Sequence, residues 1–275
     1  MNTGAPDHVS TEPPAAFDTV RLFGVNVARV SAADVVAKVI AWAGEGPARS
    51  VITANLDHVL KLRESPPFRE AYRTADLVTA DGMPFVWLSK LEKDPLPERV
   101  AGSELIVPVA VAAAAAGRTV FLFGSTDARL TAASEVLLNH APSLKIVGRY
   151  APPFGFDRDD SQFATIARTF RDQRPDIVFV ALGAPKQELF SARMCREIGH
   201  GVFLNIGGGL DFLSGEVRRA PKPIQFLGLE WLWRAATEPR RLGPRYARIA
   251  LSMPSLLRAH RRDRATRRTV DSSAR

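Results

Sequence analysis

Short apolar runs alternate along this chain with longer segments in which apolar residues recur every three or four positions. The short runs have strand length, and the longer segments have the period of amphipathic helices. The run Leu77–Ala80 illustrates the pattern, because it stops at the turn pair Asp81-Gly82 and Pro84 then opens a helical segment. Strands that alternate with helices of about 10–15 residues favour an α/β fold with a mostly parallel sheet and helices on both faces.

The same pattern predicts the bounds of the main elements. The helices include Ser31–Trp42, Gly102–Ala116, Asp159–Arg171 and Pro185–Ile198. The strands are Ser50–Ala54, Leu77–Ala80, Thr119–Phe123, Lys145–Tyr150, Ile177–Leu182 and Val202–Ile206, preceded by two short strands within Val20–Val30.

Composition and charge divide the chain into three parts. Residues 1–16 are polar and rich in Pro and Ala, which predicts a disordered leader. Residues 17–223 form the predicted α/β domain. Residues 224–275 form a basic helical C-terminal appendage. From Arg234 to Arg275 there are 12 Arg and 3 acidic residues, a charge of +9, whereas the whole chain has a net charge of +8. Such a tail indicates an anionic partner, namely a membrane surface, a nucleic acid or a phosphate ligand.

The appendage is also amphipathic. A basic amphipathic helix lies on anionic bilayers, and the alternative is a helix packed on the domain with a solvated arginine edge. Pro254 is expected to kink or divide this helix. Its apolar positions are Tyr246, Ile249, Ala250, Met253, Leu256 and Leu257, flanked by Arg245, Arg248, Arg258, Arg261 and Arg262.

Other bulk features favour a cytoplasmic protein. Hydrophobic residues make up 46% and charged residues 24% of the 275 positions, which is ordinary for a chain with a core. The one cysteine, Cys195, excludes an intramolecular disulfide and suits a reducing compartment. No secretory signal is visible, and the longest apolar run, Ile106–Ala116, is shorter than the ~20 residues that span a bilayer.

Four predicted strand ends carry groups that suit ligand binding. The carboxyl ends of parallel strands meet at one edge of a sheet, so these groups predict a polar crevice. Glycine turns before helices also present backbone N–H groups to anions. Each motif alone is an ordinary turn or cap. The four motifs are Thr53-Ala54-Asn55, Asp81-Gly82, Gly124-Ser125-Thr126 and Gly183–Glu188.

Several familiar sites are not present in the sequence. It has no G-x-G-x-x-G fingerprint after its first strands and no G-x-x-x-x-G-K-[ST] loop, which disfavours a hydride-transfer enzyme. Asp157-x-Asp159 fits an acidic metal-chelating pair, but Asp159 stands where a helix begins, and we favour a capping role. The histidines have no ligand spacing. We predict no metal site and no cofactor.

Several segments together resemble the WecG/TagA/CpsF glycosyltransferases (glycosyltransferase family 26). The match runs from about Phe23 to Tyr246. The matching segments are Thr53–Asn55, Thr79–Gly82, Glu98–Gly102, Ala181–Glu188, Gly208–Phe212, Arg219–Pro221, Gly228–Arg234 and Glu238–Leu242. One loop departs from the family: Ala151–Phe156 stands where many members carry His-Gly-Tyr-Phe.

The resemblance implies a Rossmann-like, metal-independent enzyme at the inner face of the cell membrane. Such enzymes move a sugar from a UDP-sugar to a polyprenyl-diphosphate-linked glycan acceptor in cell-surface polysaccharide synthesis, and a C-terminal appendage helps complete the site. The resemblance leaves the donor sugar open among N-acetylmannosamine, its uronic acid and glucose. It also leaves open whether the protein forms a homo-oligomer.

The resemblance also implies roles for individual residues. Asp81 matches the catalytic base, in a single displacement with inversion, and partial burial beside apolar neighbours is expected to raise its pKa. The substrate-binding candidates are Thr53, Asn55, Arg99, Gly124, Ser125, Gly183, Gln187, Asp211, Arg234, Arg241 and Arg245.

Two readings from other classes stay open on the sequence. The basic stretch Arg234–Arg275 suits a nucleic-acid-binding protein, although its one aromatic, Tyr246, makes no stacking platform. A nucleotide-dependent oxidoreductase is the other reading, weakened by the missing fingerprint.

Overall fold

The computed structural model describes residues 17–44, 46–215, 221, 224 and 230–273. The predicted leader, residues 1–16, lies outside the described residues, and so does residue 223, the predicted end of the domain.

The centre of the protein is a six-stranded parallel sheet with the order β4-β3-β8-β7-β5-β6. A separate antiparallel hairpin of β1 and β2 precedes it. The prediction of an α/β fold with a mostly parallel sheet is therefore confirmed, and each predicted strand lies within a residue or two of its observed bounds. The strands are β1 Thr19–Leu22, β2 Val25–Ala28, β3 Arg49–Ala54, β4 Leu77–Ala80, β5 Thr119–Gly124, β6 Lys145–Tyr150, β7 Ile177–Ala181 and β8 Val202–Asn205.

Helices cover both faces of this sheet. Five of the described helices begin at a side-chain cap. Ser31 and Asp34, for example, form a reciprocal capping box at the start of α1. The helices are α1 Ala32–Trp42, α2 Leu56–Glu64, α3 Pro66–Arg73, α4 Met83–Ser89, α5 Gly102–Ala115, α6 Asp127–His140, α7 Asp160–Gln173, α8 Lys186–Ile198, α9 Gly209–Leu213, α10 Glu230–Thr237 and α11 Pro239–Ser273, with a 3-10 turn at Phe156–Arg158.

The buried side chains of the sheet alternate between its two faces. In β7, Ile177 and Phe179 pack with α1, α5 and α6, whereas Val178 and Val180 pack with α7 and α8. Burial on both faces explains why the central strands are continuous apolar runs. A second cluster on the α8 side, which we call the hairpin core, joins Val20, Leu22, Val25 and Val27 of the hairpin to α2 and α4.

The C-terminal helix α11 packs on the hairpin core. Leu256 is fully buried there, and Ile249 and Met253 pack against the same cluster. Arg248 forms an ion pair with Glu64 of α2. Three of the six predicted apolar positions of α11, Ile249, Met253 and Leu256, thus meet the domain.

Pro254 does not divide α11, which runs without a break from Pro239 to Ser273. Of the two effects predicted for Pro254, a kink or a division of the helix, division is therefore wrong. A proline costs a helix interior about 3 kcal/mol, and burial of a leucine contributes about 1.5–3 kcal/mol. The packing of Leu256 and its neighbours offsets the lost hydrogen bond. Among the described residues, no helix has the length and apolar character that crossing a bilayer requires.

Candidate active site

The predicted strand-end groups share one edge of the sheet. The parallel register pairs Thr53 with Thr79 and Ala54 with Ala80, so Asn55 and Asp81 follow neighbouring strands at the same level. In strand order, the turns that close the edge are then Ile206–Gly207 after β8, Leu182–Gly183 after β7 and Ser125 after β5.

Asp81 lies at the carboxyl end of β4, where its backbone N–H donates to the Ala54 carbonyl at 2.8 Å. Its side chain is 29% exposed, and its Oδ1 lies 3.5 Å from Nη1 of Arg99. Arg99 also pairs with Glu104 at the start of α5. The sequence predicted apolar neighbours for this carboxylate; the structure places the guanidinium of Arg99 beside it.

Arg99 reaches Asp81 because its own segment runs beside β4. The Val100 N–H donates to the Ala80 carbonyl at 2.8 Å, and the Val100 carbonyl accepts from the Thr79 hydroxyl at 3.1 Å. A Cβ atom on Gly102 would lie 2.9 Å from the Ile206 Cα, so α5 begins tightly against the end of β8. Only glycine permits this approach, which explains the glycine in the Glu98–Gly102 segment.

Asn55 and Thr53 lie beside this corner with different exposures. Asn55 is partly exposed, and its amide oxygen caps α2 by accepting from Asp57 N–H at 3.1 Å and His58 N–H at 3.3 Å. Thr53 is 3% exposed, and its hydroxyl donates to the Asn205 carbonyl at 3.3 Å. Asn55 is therefore at the surface of the edge, whereas Thr53 joins β3 to β8 beneath it.

Ser125 and Asp211 meet on the other side of the edge. The Ser125 hydroxyl donates to Asp211 Oδ1 at 2.8 Å, and Nη1 of Arg129 lies 3.3 Å from the same oxygen. The preceding Gly124 has φ +106°, and a Cβ there would lie 2.3 Å from the Ala181 carbonyl oxygen, so no side chain fits. Arg129 was missed in the sequence; its place in the first turn of α6 was the available signal.

Gln187 lies at the same edge but inside the protein, with 2% of its surface exposed. Its amide contacts backbone groups of the loops after β7 and β8 and the carboxyl of Glu188. Glu188, which is fully buried, ends the Gly183–Glu188 motif but was not among the predicted substrate-binding residues. Burial raises the pKa of Glu188 to about 7, against the opposing effect of the Gln187 hydrogen bond.

The helices that start at this edge differ in their capping. Thr126 caps α6, where its hydroxyl accepts from the Arg129 N–H at 3.5 Å. The starts of α5 after Ala101 and of α8 after Pro185 have no side-chain cap. The positive ends of α5 and α8 are therefore the better places for an anion.

Of the three appendage arginines, Arg245 has a described side chain. Its Nη2 lies 3.3 Å from Oδ2 of Asp57, in the first turn of α2 beside Asn55. Burial alone would raise the pKa of Asp57, but the charges of Arg245 and Lys61 outweigh it and lower the pKa. The side chains of Arg234 and Arg241 lie outside the described residues.

The Asp157-x-Asp159 pair does not act as a unit. Asp159 caps α7 by accepting from Ser161 N–H at 2.9 Å, and its hydrogen bonds with Ser161 lower its pKa. Asp157 pairs with Lys186 at 3.1 Å. The capping interpretation is confirmed. In the described part of the chain, no group of three or more His, Cys, Asp or Glu side chains is arranged to hold a metal ion.

Two depressions lie elsewhere on the surface. One, of about 570 Å³, is an apolar groove between α1 and α5, and the other, of about 400 Å³, lies at the amino end of β3 and β4 beside Trp42 and Arg49. No predicted site residue lines either depression.

Comparison with known proteins matches the sequence of this chain to one family. A model of the glycosyl transferase WecG/TagA/CpsF family matches residues 20–268, which include the hairpin, the sheet and most of α11. The N-acetylglucosaminyldiphosphoundecaprenol N-acetyl-β-D-mannosaminyltransferase of Bacillus spizizenii is 31% identical over 209 residues, covering 76% of this chain and 77% of the relative.

Proposed function

Because the chain belongs to the WecG/TagA/CpsF family of glycosyltransferases, we propose that it moves a sugar from a UDP-linked donor to a polyprenyl-diphosphate-linked glycan. The name of the Bacillus relative specifies an undecaprenyl-diphosphate N-acetylglucosamine acceptor and an N-acetylmannosamine sugar. N-acetylmannosamine is therefore the first donor to test, followed by its uronic acid and glucose.

The proposed chemistry is a single displacement at the anomeric carbon. The acceptor hydroxyl oxygen bonds to that carbon from one side, the bond to the diphosphate oxygen breaks on the other, and Asp81 takes the hydroxyl proton. General base catalysis of this kind contributes about 10²–10⁴-fold. The observation that carries this assignment is the partly exposed Asp81 carboxylate at the carboxyl end of β4, beside Asn55 and Arg99.

The departing nucleoside diphosphate gains negative charge, which the site is suited to receive. The uncapped starts of α5 and α8 offer backbone N–H groups, and the guanidinium groups of Arg99, Arg129 and Arg245 lie along the same edge. Arginine pairs phosphate oxygens in a bidentate manner. In this proposal Thr53 and Gln187 support the edge from within, since both are buried.

A lipid-linked acceptor requires the site to meet a membrane, and we assign this contact to the cytoplasmic leaflet. Ile249, Met253 and Leu256 of α11 are covered by the hairpin core. The arginine edge of α11 and Leu251 of the same helix stay accessible. Trp87 of α4 and Leu91 are also exposed, and they lie close to Asp81 in the chain. Arginines with an interfacial tryptophan suit an anionic bilayer surface.

Vesicle flotation tests this contact. We expect the full chain to float with vesicles containing anionic lipid, and Trp87→Ser with Leu91→Ser to reduce the bound fraction. Leu138→Ser, at an exposed leucine on α6, is the matched control. Equal flotation of all three proteins would show that Trp87 and Leu91 do not contribute to membrane binding.

A transfer assay tests the reaction itself. UDP-sugars are offered in turn with polyprenyl-diphosphate-linked acceptors, and the lipid product is read by mass spectrometry. We expect a mass gain of one sugar together with release of UDP. Reduction of a nicotinamide cofactor, or nucleic-acid binding without any transfer, would contradict the proposal in favour of the readings that the sequence left open.

A further inference from the structure

The buried amide of Gln187 joins two loops of the site edge. Its Oε1 accepts from the backbone N–H of Gly183 at 3.2 Å and from that of Gly207 at 3.0 Å. These glycines close the neighbouring strands β7 and β8, and both have left-handed backbone, with φ +74° and +57°. One side-chain oxygen therefore sets the spacing between the two turns.

Glu188 determines which way this amide points. Gln187 Nε2 donates to Glu188 Oε1 at 2.8 Å, and neither residue exposes more than 2% of its surface. If the side-chain amide of Gln187 were rotated by 180°, its NH₂ group would face the N–H groups of Gly183 and Gly207, and its oxygen would face the Glu188 carboxyl. The acceptor at Glu188 thus holds Oε1 towards both loops.

The same carboxyl faces α2. His58 Nε2 lies 3.8 Å from Glu188 Oε1, and His58 Nδ1 lies 2.7 Å from the Tyr72 hydroxyl. Burial raises the pKa of Tyr72 well above its usual value, so its hydroxyl keeps its proton while it forms a hydrogen bond with His58. The backbone N–H of His58 in turn donates to the cap oxygen of Asn55.

We propose that Gln187 and Glu188 form a buried clamp that positions the two halves of the site, and that neither side chain contacts the donor. The clamp fixes the Gly207 turn, from which α9 carries Asp211 to Ser125. Glu188 Oε1 also lies 3.8 Å from Nε2 of His58 in α2, and the backbone N–H of His58 donates to Asn55. Gln187 and Glu188 are thus positioning residues.

Hydrogen exchange of the ligand-free protein tests the clamp directly. Gln187→Met removes the acceptor of both loops, and we expect the amides of Gly183 and Gly207 to exchange roughly fivefold to tenfold faster, because a hydrogen bond contributes about 1 kcal/mol. Thr119, whose N–H is held by Asp176 at the opposite edge, is the internal reference. Unchanged protection of Gly183 and Gly207 would overturn the proposal.

Two substitutions at position 188 separate a positioning role from mere burial. Glu188→Gln keeps an acceptor for Gln187 Nε2, so we expect wild-type exchange and transfer. Glu188→Leu removes it, and we expect the exchange pattern of Gln187→Met. Equal behaviour of the two variants, each checked for a cooperative thermal transition, would show that the acceptor does not matter.

Kinetics add a readout that rests on the proposed function. A positioning role predicts a lower kcat for Gln187→Met with donor KM changed less than about twofold, since only transition-state alignment is lost. A large rise in donor KM with unchanged exchange would instead make Gln187 a substrate contact. If no transfer occurs with any UDP-sugar, the proposed function fails while the exchange experiment still decides the clamp.

Discussion

Two aspartates flank the same strand and differ in what surrounds them. Asp76, before β4, bonds Arg49 at 2.6 Å through one carboxylate oxygen and accepts from the Ser50 N–H at 2.9 Å through the other. Asp81, after β4, has its Arg99 contact at 3.5 Å. The side chains are similarly exposed, 20% and 29%, and each faces an arginine.

Burial and an ion pair therefore do not distinguish the structural carboxylate of Asp76 from that of Asp81, the proposed base. The position along the strand does. Asp176, at the amino end of β7, repeats the arrangement of Asp76 by accepting from the Thr119 N–H at 2.7 Å and the Thr119 hydroxyl at 2.9 Å. Carboxylates at the amino edge join strands, and those at the carboxyl edge face the crevice where α/β sheets bind ligands.

We expect the largest difference between the two edges when Asp81 and Asp76, which flank β4, are each replaced by asparagine. Asp81→Asn should lower kcat by about 10²–10⁴-fold and spare nucleotide binding, because only the base is lost. Asp76→Asn should keep kcat and lower the free energy of unfolding by about 1–3 kcal/mol, because a charged hydrogen-bond partner is lost. Transfer rates, UDP titration and urea melts measure the two effects; near-normal turnover of Asp81→Asn would remove its role as base.

Arg99 and Arg49, which pair with these two aspartates, should differ in the same way: one should affect activity and the other stability. Arg99→Met should lower kcat/KM by about 10²-fold, because a charged donor beside the reacting groups is removed. Arg49→Met should leave kcat/KM within about twofold and cost about 1–2 kcal/mol of stability. Comparable losses of activity in both variants would break the distinction between the two edges.

Asp211 and Asp176 extend the test to the other half of the sheet. Asp211→Asn should raise donor KM by about tenfold, since an amide binds Ser125 and Arg129 less strongly than a carboxylate does. Asp176→Asn should leave donor KM unchanged and lower the melting temperature. A shift of KM in the Asp176 variant would contradict the assignment.

The smallest expected effect is the pH dependence of the free energy of unfolding, because the contributions of buried Glu188 and His58 have opposite signs. Burial holds the pKa of Glu188 at about 7 and that of His58 at about 3. As pH rises from 4.5 to 6.5, the raised pKa of Glu188 costs stability while the lowered pKa of His58 restores it, so the wild-type slope from this pair is near zero.

Single variants should reveal each slope. With Glu188→Gln, stability should rise with pH up to about 6.5, by at most about 1.4 kcal/mol per unit, whereas with His58→Gln it should fall as pH rises towards 7. Urea unfolding across pH 4.5 to 7 measures both. If the free energy of unfolding of both variants changed with pH as it does in the wild type, protonation of Glu188 and His58 would not be coupled to folding.

The sequence was sufficient for the sheet, the caps and the position of Asp81, because these depend on period and on local turn chemistry. It was not sufficient for the direction of side chains. Gln187 stands in a strand-end motif yet turns inward, and Arg129 turns towards Asp211 from a first helical turn. The continuity of α11 through Pro254 depends on tertiary packing, which overrides the local preference.

The docking of α11 also has a consequence for how the protein is made. Phe23 N–H donates to His260 Nδ1 at 3.4 Å, although 237 positions separate them, and Leu256 completes the apolar cluster that Val20 and Val27 begin. During translation the hairpin must wait with an open apolar face until α11 emerges from the ribosome. Prematurely terminated chains would keep that face exposed, a mark by which chaperones and proteases recognise unfinished molecules.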